Sequence, residues 1–464
     1  MNKALKAYYD SLNGKKVFFL GAGISHRKLI KSFANKGAAV TLCDKKSFGE
    51  LGALGDELAA LGVKFELGDT YLDRLRDADI VFRSPGIDYT MPKIQAAVKA
   101  GVNVTSEIET FFELCSSKII GVTGSDGKTT TTTLIAKMLE AAGYKVHLGG
   151  NIGIPLLPII DEVCPTDIAV VELSSFQLIS MRKSPDIAVV TNLAPNHLDH
   201  HKDMREYIDA KRNILLYQNK DSVAILNAEN DITRAMAADV KGELRLFSGC
   251  SAVKNGAYMD THKNLVMVKN GAESVVLNLN DILLPGEHNK ENVTTAAATV
   301  MSLVSDDIIK KVALEFAGVE HRIELAREKG GVRWYNDSIG TSPTRTIAGL
   351  RSFDKKLILI AGGYDKKISY EPLAPEIIRN VKCLLLCGAT GEIIRSEVEK
   401  CSGFDNAEIA IEMKADLEEC VKRANELAKS GDVVLMSPAS ASFDFYNNFE
   451  ERGNHFKKLV KDLR

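Results

Sequence analysis

Two kinds of run are missing from this chain, and each absence excludes a class of protein. No stretch reaches the length of a membrane-spanning helix, about 18 consecutive apolar residues. There is also no long basic run, and the formal net charge is −2, so the phosphate attraction that drives nucleic-acid binding has no counterpart here. We therefore expect no membrane insertion and no nucleic-acid partner, and any polyanion that binds should be a small molecule.

Cysteine pairs and an apolar signal core are missing as well. The eight cysteines are scattered without a CxxC pair, which favours reduced thiols over a disulfide framework. The first residues, MNKALKAYYDSLNGKK, contain no apolar signal core. The expected location of the protein is therefore the cytoplasm.

The composition that remains is typical of a globular protein with several domains. The 464 residues are enough for two to four domains of roughly 100–200 residues each. The hydrophobic fraction of 45% and the charged fraction of 26% are ordinary, so each domain can bury a core. Predicted strands and helices alternate in three blocks, which favours an α/β fold with parallel sheets wrapped by helices. We place the domains at residues 1–105, 106–318 and 319–464.

The first block begins with a strand that runs into a glycine turn, KKVFFLGAGIS. Gly21 and Gly23 fit the start of the dinucleotide fingerprint GxGxxG, but His26 stands where the third glycine belongs. This incomplete fingerprint is weak support for NAD. The turn could hold a diphosphate, with Asp44 or Lys45 near a ribose or base, or it could be required only for folding.

The second block carries the most informative stretch, KIIGVTGSDGKTTTTTLIAKML. An apolar strand enters a Gly-rich turn, which is followed by Lys128, Thr129 and a helix. Backbone N–H groups of such a turn wrap a polyphosphate, the lysine reaches the outer phosphates and the threonine can ligate Mg²⁺. Val122 stands where a strict P-loop has a glycine, so the pattern is the shorter TGxxGKT variant. We predict a nucleoside triphosphate site formed by Gly124, Ser125, Asp126, Gly127, Lys128, Thr129 and Thr130.

Two further strands of this block end in polar residues. Glu172 follows four apolar residues in DIAVVELSSFQL, at the carboxyl end of a buried strand, where a carboxylate is a natural Mg²⁺ ligand. The next strand ends in a cluster of His197, Asp199, His200 and His201. A zinc site is one interpretation, but adjacent histidines face different ways, so we favour one functional histidine. Lys211, in EYIDAKRNILL, has apolar neighbours and would, taken alone, be a surface or snorkelling lysine.

Taken in order along essentially the full length, these stretches resemble the Mur ligase family. The resemblance rests on GVTGSDGKTTTT, GGNIGIP, VELSSFQL, APNHLDHH with AKRNIL, GEHNKENVTTAAA, EHRIE, YNDSIGTSPTRT, AGGYDKK and SPASASFDFYNNFEERG. It implies a Rossmann-like N-terminal domain that binds a uridine nucleotide, a central P-loop ATPase-type domain and a Rossmann-like C-terminal domain. It also implies an ATP-dependent amide ligase of peptidoglycan synthesis, which adds D-glutamate to UDP-N-acetylmuramoyl-L-alanine through an acyl phosphate.

The resemblance also implies roles for catalytic residues. Lys128 would hold the ATP phosphates, and Thr129 and Glu172 would ligate Mg²⁺. His197 would ligate a second Mg²⁺. Lys211 matches a lysine that is carbamylated in related ligases and then helps to place this second ion. The resemblance implies a requirement for ATP and two Mg²⁺ ions, and we separately expect a monomer.

Other positions match binding residues of the family. Asn289 and Asn292 match residues on the adenine side of ATP. Arg322 and Asp337 match residues that clamp ATP. Contacts with the UDP substrate correspond to Ile24, Ser25, Asp44, Ser84 and Asn151. The D-glutamate contacts correspond to Thr341, Lys366, Ser442, Phe443 and Phe449. Some relatives carry lysine at the position of Ile339. Part of the contact with the D-glutamate carboxylates is therefore absent here or is supplied by another residue.

Alternative interpretations come from different classes of protein. A sister ligase that adds L-alanine, L-lysine or diaminopimelate, or a folylpolyglutamate synthetase-like ligase, would share the ATPase core. The GAGIS, NDSIGTSPTRT and SPASASFDFYNNFEERG stretches favour D-glutamate instead. An NAD-dependent oxidoreductase leaves Lys128 and Glu172 unexplained. The retained Lys128, Lys211 and Lys366 also argue against a non-catalytic nucleotide sensor.

Overall fold

The computed structural model describes residues 3–195 and 200–463. These residues form an α/β fold with three sheets, as expected, and they separate into two compact units. The first unit holds the chain up to Asn278 together with Glu291–Val312. The second holds Leu279–Lys290 together with the chain from Ala313 onward. The first two sheets therefore share one compact unit.

The N-terminal sheet consists of β1 (Lys16–Leu20), β2 (Ala39–Asp44), β3 (Lys64–Leu67), β4 (Ile80–Arg83) and β5 (Asn103–Thr105). These strands are parallel and lie in the order β3-β2-β1-β4-β5. The strand order changes direction between β1 and β4, and ligands of open parallel sheets bind at the carboxyl ends beside such a switch. The helices of this part are α1 (Lys3–Ser11), α2 (Ile24–Asn35), α3 (Phe48–Leu51), α4 (Ala53–Ala60) and α5 (Pro92–Lys99).

Aromatic side chains fill the core between β1, β4 and α2. Phe19 stacks on Phe82 with ring centroids 5.0 Å apart, and Phe33 meets both rings edge-on. All three residues are buried. This packing fixes α2 against the sheet and so fixes the glycine turn that joins β1 to α2.

The second sheet consists of β6 (Lys118–Thr123), β7 (Val146–Gly150), β8 (Ile168–Glu172), β9 (Ile187–Val190), β10 (Val223–Asn227), β11 (Glu243–Ser248), β12 (Gly256–Met259), β13 (Asn264–Lys269) and β14 (Ala272–Asn278). Their order is β14-β13-β12-β11-β10-β9-β6-β8-β7. β13 pairs antiparallel with both β12 and β14, and the other neighbouring strands pair parallel. The associated helices are α6 (Glu107–Leu114), α7 (Lys128–Ala141), α8 (Ser175–Leu178), α9 (Met204–Leu216), α10 (Asp231–Ala235), α11 (Glu287–Val300) and α12 (Asp306–Glu315).

The register of the second sheet brings four strand ends to one level. Val122 of β6 pairs with Glu172 of β8, and Thr123 pairs with Val190 of β9. Gly150 of β7 also pairs with Glu172. Because these strands are parallel, the segments that follow them emerge at the same edge of the sheet.

Side-chain caps fix the helices that leave this edge. At α8 the Ser174 hydroxyl accepts from the Gln177 backbone N–H, and the side-chain Oε1 of Gln177 accepts from the Ser174 N–H, which is a capping box. At α9 the Asp203 carboxylate accepts from the Glu206 N–H at 2.8 Å. These caps determine where the chain leaves β8 and how α9, which carries Lys211, begins.

The sheet of the second unit consists of β15 (Glu324–Lys329), β16 (Val332–Asn336), β17 (Leu357–Ala361), β18 (Val381–Leu386), β19 (Ala410–Met413) and β20 (Val433–Met436). Their order is β15-β16-β20-β17-β18-β19, and only β15 is antiparallel to its neighbour in this described sheet. The helices are α13 (Pro343–Leu350), α14 (Ala374–Asn380), α15 (Gly391–Lys400), α16 (Leu417–Leu427) and α17 (Phe449–Asp462). Among all the helices described, none combines the length and apolar character needed to cross a membrane.

Candidate active site

A glycine-rich loop, residues 124–127, joins β6 to α7 at the shared edge of the second sheet. Gly124 has a φ of 151°, and a Cβ there would lie 1.9 Å from the Thr191 hydroxyl. Gly127 has a φ of 75°, and its Cβ would lie 2.4 Å from Asn292 Oδ1. Both positions therefore require glycine, for backbone conformation and for close approach. The loop ends at the N-terminus of α7, where the helix favours an anion.

The side chains of the loop are used to hold it in place. The Ser125 hydroxyl lies 2.9 Å from the Tyr207 hydroxyl and accepts from the Ala194 N–H at 2.9 Å. The Asp126 N–H donates to Asn192 Oδ1 at 3.0 Å, and the Asp126 carbonyl accepts from Thr191 at 2.6 Å. Ser125, predicted in the triphosphate site, thus turns its hydroxyl into the fold and offers the ligand only its backbone.

Two lysines meet at this loop. Lys128 Nζ donates to the carbonyl oxygens of Gly124 and Ser125, both at 2.9 Å. Lys211 Nζ donates to the Thr123 hydroxyl and to the Gly124 carbonyl, both at 3.0 Å. Lys211 is buried, so the expectation that it is a surface or snorkelling lysine is wrong. Burial, reinforced by the charge of Lys128, lowers the pKa of the Lys211 ammonium well below its usual range.

Glu172 ends β8 beside the loop and is buried. Its Oε1 accepts from Asn151 Nδ2 at 2.8 Å, and its carbonyl accepts from the Asn151 N–H at 2.8 Å. Gly150 must be glycine here, because its Cβ would lie 2.2 Å from that carbonyl oxygen. Oε2 of Glu172 is buried and has no hydrogen-bond partner among the described residues.

A buried carboxylate oxygen without a partner is a strong indication of a missing cation or water. Thr129 and Thr130 open α7 next to the glycine loop and are half-buried, so the edge also offers hydroxyl groups. Carboxylate and hydroxyl oxygens suit Mg²⁺. The residues therefore fit a magnesium ion that Glu172 and Thr129 would share.

The predicted histidine cluster is only partly described. His197 and Asp199 lie outside the described residues. His201 is buried, its Nε2 lies 2.8 Å from the Ser175 hydroxyl, and its ring stacks on Phe176 with centroids 5.1 Å apart. Over the residues 3–195 and 200–463 there is no group of three or more His, Cys, Asp or Glu side chains that could hold a metal. The described part of the cluster thus gives no support to a zinc site.

The two asparagines predicted on the adenine side both lie on α11. Asn292 is buried, and its Oδ1 accepts from the Thr131 hydroxyl at 3.3 Å, on the first turns of α7. Asn289 is buried as well, and its Nδ2 donates to the Pro285 carbonyl at 2.7 Å. Asn292 therefore lies against the glycine loop and the start of α7, while Asn289 holds the turn that precedes α11.

The glycine turn of the N-terminal sheet is held from two sides. Asp44 Oδ2 accepts from the Ala22 N–H at 2.8 Å. His26, at the position of the missing third glycine, is fully buried, and its Nδ1 lies 2.9 Å from the Gly21 carbonyl. Burial lowers the pKa of His26 to about 4, so the ring is neutral. A cavity of about 410 Å³ at this turn is lined by Gly21, Asp44, Lys45, Tyr71, Gly86, Ile87, Asp88 and Met91.

A second cavity, of about 240 Å³, lies between the first two sheets. Its lining brings together two predicted substrate residues, Ser25 and Asn151, with Pro85 and Glu107. Ser84 lies next to Gly21 on the N-terminal side, and the side chain of Ile24 lies outside the described part of the chain. The second cavity thus brings Asn151, the partner of Glu172, to the same space as Ser25 of the N-terminal part.

Arg83, which was not predicted, links the N-terminal sheet to the segment that follows β8. It is buried at the end of β4, and its guanidinium donates to the Ile87 carbonyl at 2.7 Å. It also donates to the Phe176 carbonyl at 2.8 Å and to the Ser180 hydroxyl at 3.2 Å. A charged residue that ends an apolar strand, DIVFR, is the signal that could have found it, as it did for Glu172.

In the second unit Asp337 follows β16 and is buried. Its Oδ2 accepts from the Ser437 hydroxyl at 2.6 Å, and its Oδ1 accepts from the Ile323 N–H at 3.3 Å. Burial raises the pKa of Asp337 to about 7, although the nearby charge of Arg322 opposes this shift. Ser437, which the sequence analysis missed, is thus the side-chain partner of this carboxyl.

Two of the predicted D-glutamate residues meet in the second unit. Lys366 is exposed, and its Nζ donates to the Thr341 carbonyl at 3.2 Å. Ser442 is buried and Phe443 is 63% exposed, with its ring 5.9 Å from that of Tyr364. Phe449 begins α17 and lies edge-on to His321 at 6.0 Å.

Comparisons with known proteins cover the whole chain. Three family models match the chain: a Mur ligase MurD-like N-terminal domain over residues 15–106, a Mur ligase middle domain over 122–300 and a Mur ligase glutamate ligase domain over 321–440. The UDP-N-acetylmuramoylalanine--D-glutamate ligase of Acetivibrio thermocellus is 51% identical over 468 residues. The ligase of the same name from Clostridium beijerinckii is 47% identical over 463 residues. Each alignment covers 100% of both chains.

Solved structures share the fold at low sequence identity. The UDP-N-acetylmuramate-alanine ligase MurC of Thermotoga maritima is 19% identical with a TM-score of 0.55, over 96% of this chain and 99% of that one. A UDP-N-acetylmuramoyl-L-alanyl-D-glutamate--2,6-diaminopimelate ligase is 15% identical with a TM-score of 0.56, over 98% of this chain and 93% of that one.

Proposed function

The chain belongs to the Mur ligase family, and from that premise we propose that it catalyses the ATP-dependent addition of D-glutamate to UDP-N-acetylmuramoyl-L-alanine. The observation that carries the proposal is the identity of 45–51% over the whole chain with ligases named for this reaction. The products are the amide, ADP and phosphate, and the reaction serves the synthesis of peptidoglycan precursors.

The reaction starts from a carboxylate, which is a poor acyl donor. Transfer of the terminal phosphoryl group of ATP to the alanyl carboxylate makes one of its oxygens part of a phosphate leaving group. The neutral amine of D-glutamate then attacks the acyl carbon, and the tetrahedral intermediate collapses to an amide and phosphate. The protein must therefore offset negative charge around the phosphoryl group and hold the amine near the acyl carbon.

Lys128 supplies the positive charge at the glycine loop. Its ammonium rests on the carbonyls of Gly124 and Ser125. Binding of ATP would replace these two partners by phosphate oxygens, while the loop N–H groups and the start of α7 hold the rest of the polyphosphate.

Glu172 and Thr129 would hold one Mg²⁺. When bound, the ion neutralises charge on the phosphates and polarises the phosphoryl group. The buried and unpartnered Oε2 of Glu172 supports this assignment. Asn151 holds the other carboxylate oxygen and so fixes the direction in which Oε2 points.

A second Mg²⁺ is proposed with His197 and a carbamylated Lys211. Carbamylation joins the amine nitrogen to the carbon of CO2 with loss of a proton, so it requires a neutral amine. Burial lowers the pKa of Lys211 well below its usual range, which favours the neutral amine. The carbamate would carry a negative charge beside the ammonium of Lys128.

The three substrates divide among the three parts of the chain. We assign the UDP substrate to residues 1–105, ATP to 106–318 and D-glutamate to 319–464, which the spans of the three family models support. Ser84 and Asp44 would contact the uridine nucleotide of the UDP substrate, and Ser25 and Asn151 would contact the same substrate in the second cavity. The residues proposed to contact ATP are Asn289, Asn292, Arg322 and Asp337. The proposed acceptor residues are Thr341, Lys366, Ser442, Phe443 and Phe449.

We also propose a cytoplasmic monomer. All eight cysteines are unpaired thiols, which suits a reducing compartment, and the proposed reaction consumes ATP. Light scattering of the purified chain would measure its mass, and a dimer would contradict the monomer.

The test is the release of phosphate from ATP in the presence of UDP-N-acetylmuramoyl-L-alanine. D-glutamate, L-glutamate, L-lysine and diaminopimelate are compared as acceptors, and UDP-N-acetylmuramate with L-alanine serves as a further pair. Release that depends on D-glutamate is the expected result. Release only with another acceptor would identify a sister ligase, and silence with every pair would leave a non-catalytic nucleotide sensor.

A further inference from the structure

D-glutamate carries two carboxylates, whereas Lys366 is the one cation assigned to them. The side chain of Ile339, in the turn before α13, adds no charge. We propose that Arg345 is a second carboxylate-binding cation and that, together with Lys366, it selects a dicarboxylic amino acid. This inference rests on the proposed function and adds a residue that determines its acceptor specificity.

Arg345 and Lys366 hold the same short turn. Arg345 Nη1 donates to the Ile339 carbonyl at 3.0 Å, and Lys366 Nζ donates to the Thr341 carbonyl at 3.2 Å. The Thr341 N–H donates to the Ile339 carbonyl as well, at 2.7 Å. The two cations therefore bind carbonyls two residues apart, with Thr341 part of the turn that joins them.

The two charges also act on each other. Partial burial lowers the pKa of Lys366, and the positive charge of Arg345 lowers it further. Two like charges that interact in this way destabilise the site unless an anion lies between or beside them. A molecule with two carboxylates would relieve the repulsion.

Acidic side chains near the turn do not neutralise this pair. Within the described residues, neither Arg345 nor Lys366 forms an ion pair with a carboxylate. Asp365 pairs instead with Lys367 at 2.8 Å. Asp337 does feel the charge of Arg345, but burial raises its pKa to about 7, and both its carboxyl oxygens already accept hydrogen bonds, from Ser437 and from the Ile323 N–H. The positive charge is thus left for a ligand, and both cations are exposed to solvent and can reach one.

The position of Arg345 on its helix favours the same conclusion. Arg345 lies in the first turn of α13, where the helix dipole disfavours a cation, and this turn contains no acidic residue. A cation without an anionic partner at this end of the helix lowers the stability of the fold. A carboxylate bound at that end would be favoured both by the guanidinium and by the helix.

The other nearby guanidinium, Arg452, has a different use. It is buried, and its donors go to the Ser338 hydroxyl and to the carbonyls of Ser338, Ser440 and Ala441. Arg452 therefore holds the loop before α17 in place. Among the described residues Arg345 makes one such bond, and its side chain is exposed, with a planar fork of donors that matches a carboxylate.

The experiment compares steady-state kinetics of the full chain with those of Arg345→Gln and Arg345→Lys. We expect Arg345→Gln to raise the KM for D-glutamate by roughly 10- to 100-fold, the range for a lost charge-assisted hydrogen bond. The KM values for ATP and the UDP substrate should change less than about twofold. Arg345→Lys should recover part of the loss, because it keeps the charge but not the fork.

Acceptor analogues make the test specific. D-glutamine lacks the side-chain carboxylate and D-isoglutamine lacks the α-carboxylate. In Arg345→Gln the preference for D-glutamate over one of these analogues should collapse, and that analogue identifies the carboxylate that Arg345 binds. The matched control is Arg351→Gln at the other end of α13, where the guanidinium pairs with Glu376.

Three outcomes separate the possibilities. A KM for D-glutamate within twofold of wild type in Arg345→Gln, with unchanged preference, would overturn the inference. A fall in kcat with all KM values unchanged would also overturn it, because loss of folded enzyme produces that pattern, and thermal unfolding would show the loss directly. Failure of the wild-type chain to use D-glutamate would instead contradict the proposed function.

Discussion

Lys128 and Lys211 donate to the same backbone oxygen, the carbonyl of Gly124, at 2.9 and 3.0 Å. Two ammonium groups at one acceptor repel each other, and Lys211 is the buried one. Burial lowers the pKa of Lys211 well below its usual range, and the charge of Lys128 lowers it further. This division predicts different chemistry for the two lysines.

Lys128→Ala should abolish the release of phosphate. Removing the cation from the phosphate site should lower kcat by on the order of 100-fold or more, as loss of a charge-stabilising donor does in other enzymes. The control is Lys137→Ala on the exposed side of the same helix, where the lysine pairs with Glu140. Full activity of Lys128→Ala would contradict its assignment.

Lys211 should carry a carbamate in the active protein. In buffer with ¹³C-labelled bicarbonate, the wild type should show a carbamate carbon signal by NMR that Lys211→Met lacks. Lys211→Met should also lose most of its activity while keeping the buried volume of the site. A wild-type spectrum without this signal, in a fully active sample, would exclude carbamylation.

Glu172→Gln should raise the Mg²⁺ concentration needed for half-maximal activity. The substitution keeps the shape and the contact with Asn151 but removes the charge of the unpartnered oxygen. We expect a shift of about tenfold or more. Glu140→Gln, on the exposed face of α7, should leave the Mg²⁺ dependence unchanged. Equal Mg²⁺ curves for Glu172→Gln and wild type would remove Glu172 from the metal site.

Lys366→Ala should weaken D-glutamate binding specifically. Loss of a charged donor to a carboxylate should raise the KM for D-glutamate by roughly 10- to 100-fold and leave the KM for ATP unchanged. Lys367→Ala is the neighbouring control, since Lys367 pairs with Asp365. The assignment fails if the two variants behave alike in a D-glutamate titration.

Glu107 should make the stability of the first unit depend on pH. Burial raises the pKa of Glu107 from 4.5 to about 7. Between these values the folded chain binds more protons than the unfolded chain, so the free energy of unfolding falls as the pH rises. Glu107→Gln should remove this contribution, which is on the order of 3 kcal/mol in full.

Urea unfolding at several pH values checks this prediction. Relative to wild type, Glu107→Gln should gain stability as the pH rises from about 4.5 to above 7. The control is Glu113→Gln on the exposed side of α6. Parallel pH curves for Glu107→Gln and wild type would show that Glu107 does not titrate in this range.

Much of the candidate site follows from local sequence. A strand, a glycine turn, Lys128 and a helix form a phosphate loop wherever they occur, because the turn conformation and the helix N-terminus are local properties. An acidic residue after an apolar run, as at Glu172, lies at a strand end for the same reason. The roles of these residues stay predictions, and His197 lies outside the described residues.

The sequence by itself determined the class of fold, the glycine loop and the family. Tertiary structure decided which side chains meet. The strand order β9-β6-β8-β7 brings Asn151 to Glu172 and carries α9 back so that Lys211 is buried beside Thr123. Periodicity could not show this, because a lysine on a helix is buried or exposed according to what packs above it. The proposed role of Arg345 likewise depends on Lys366, which is 21 positions away in the sequence. Only the folded turn brings the two residues near each other.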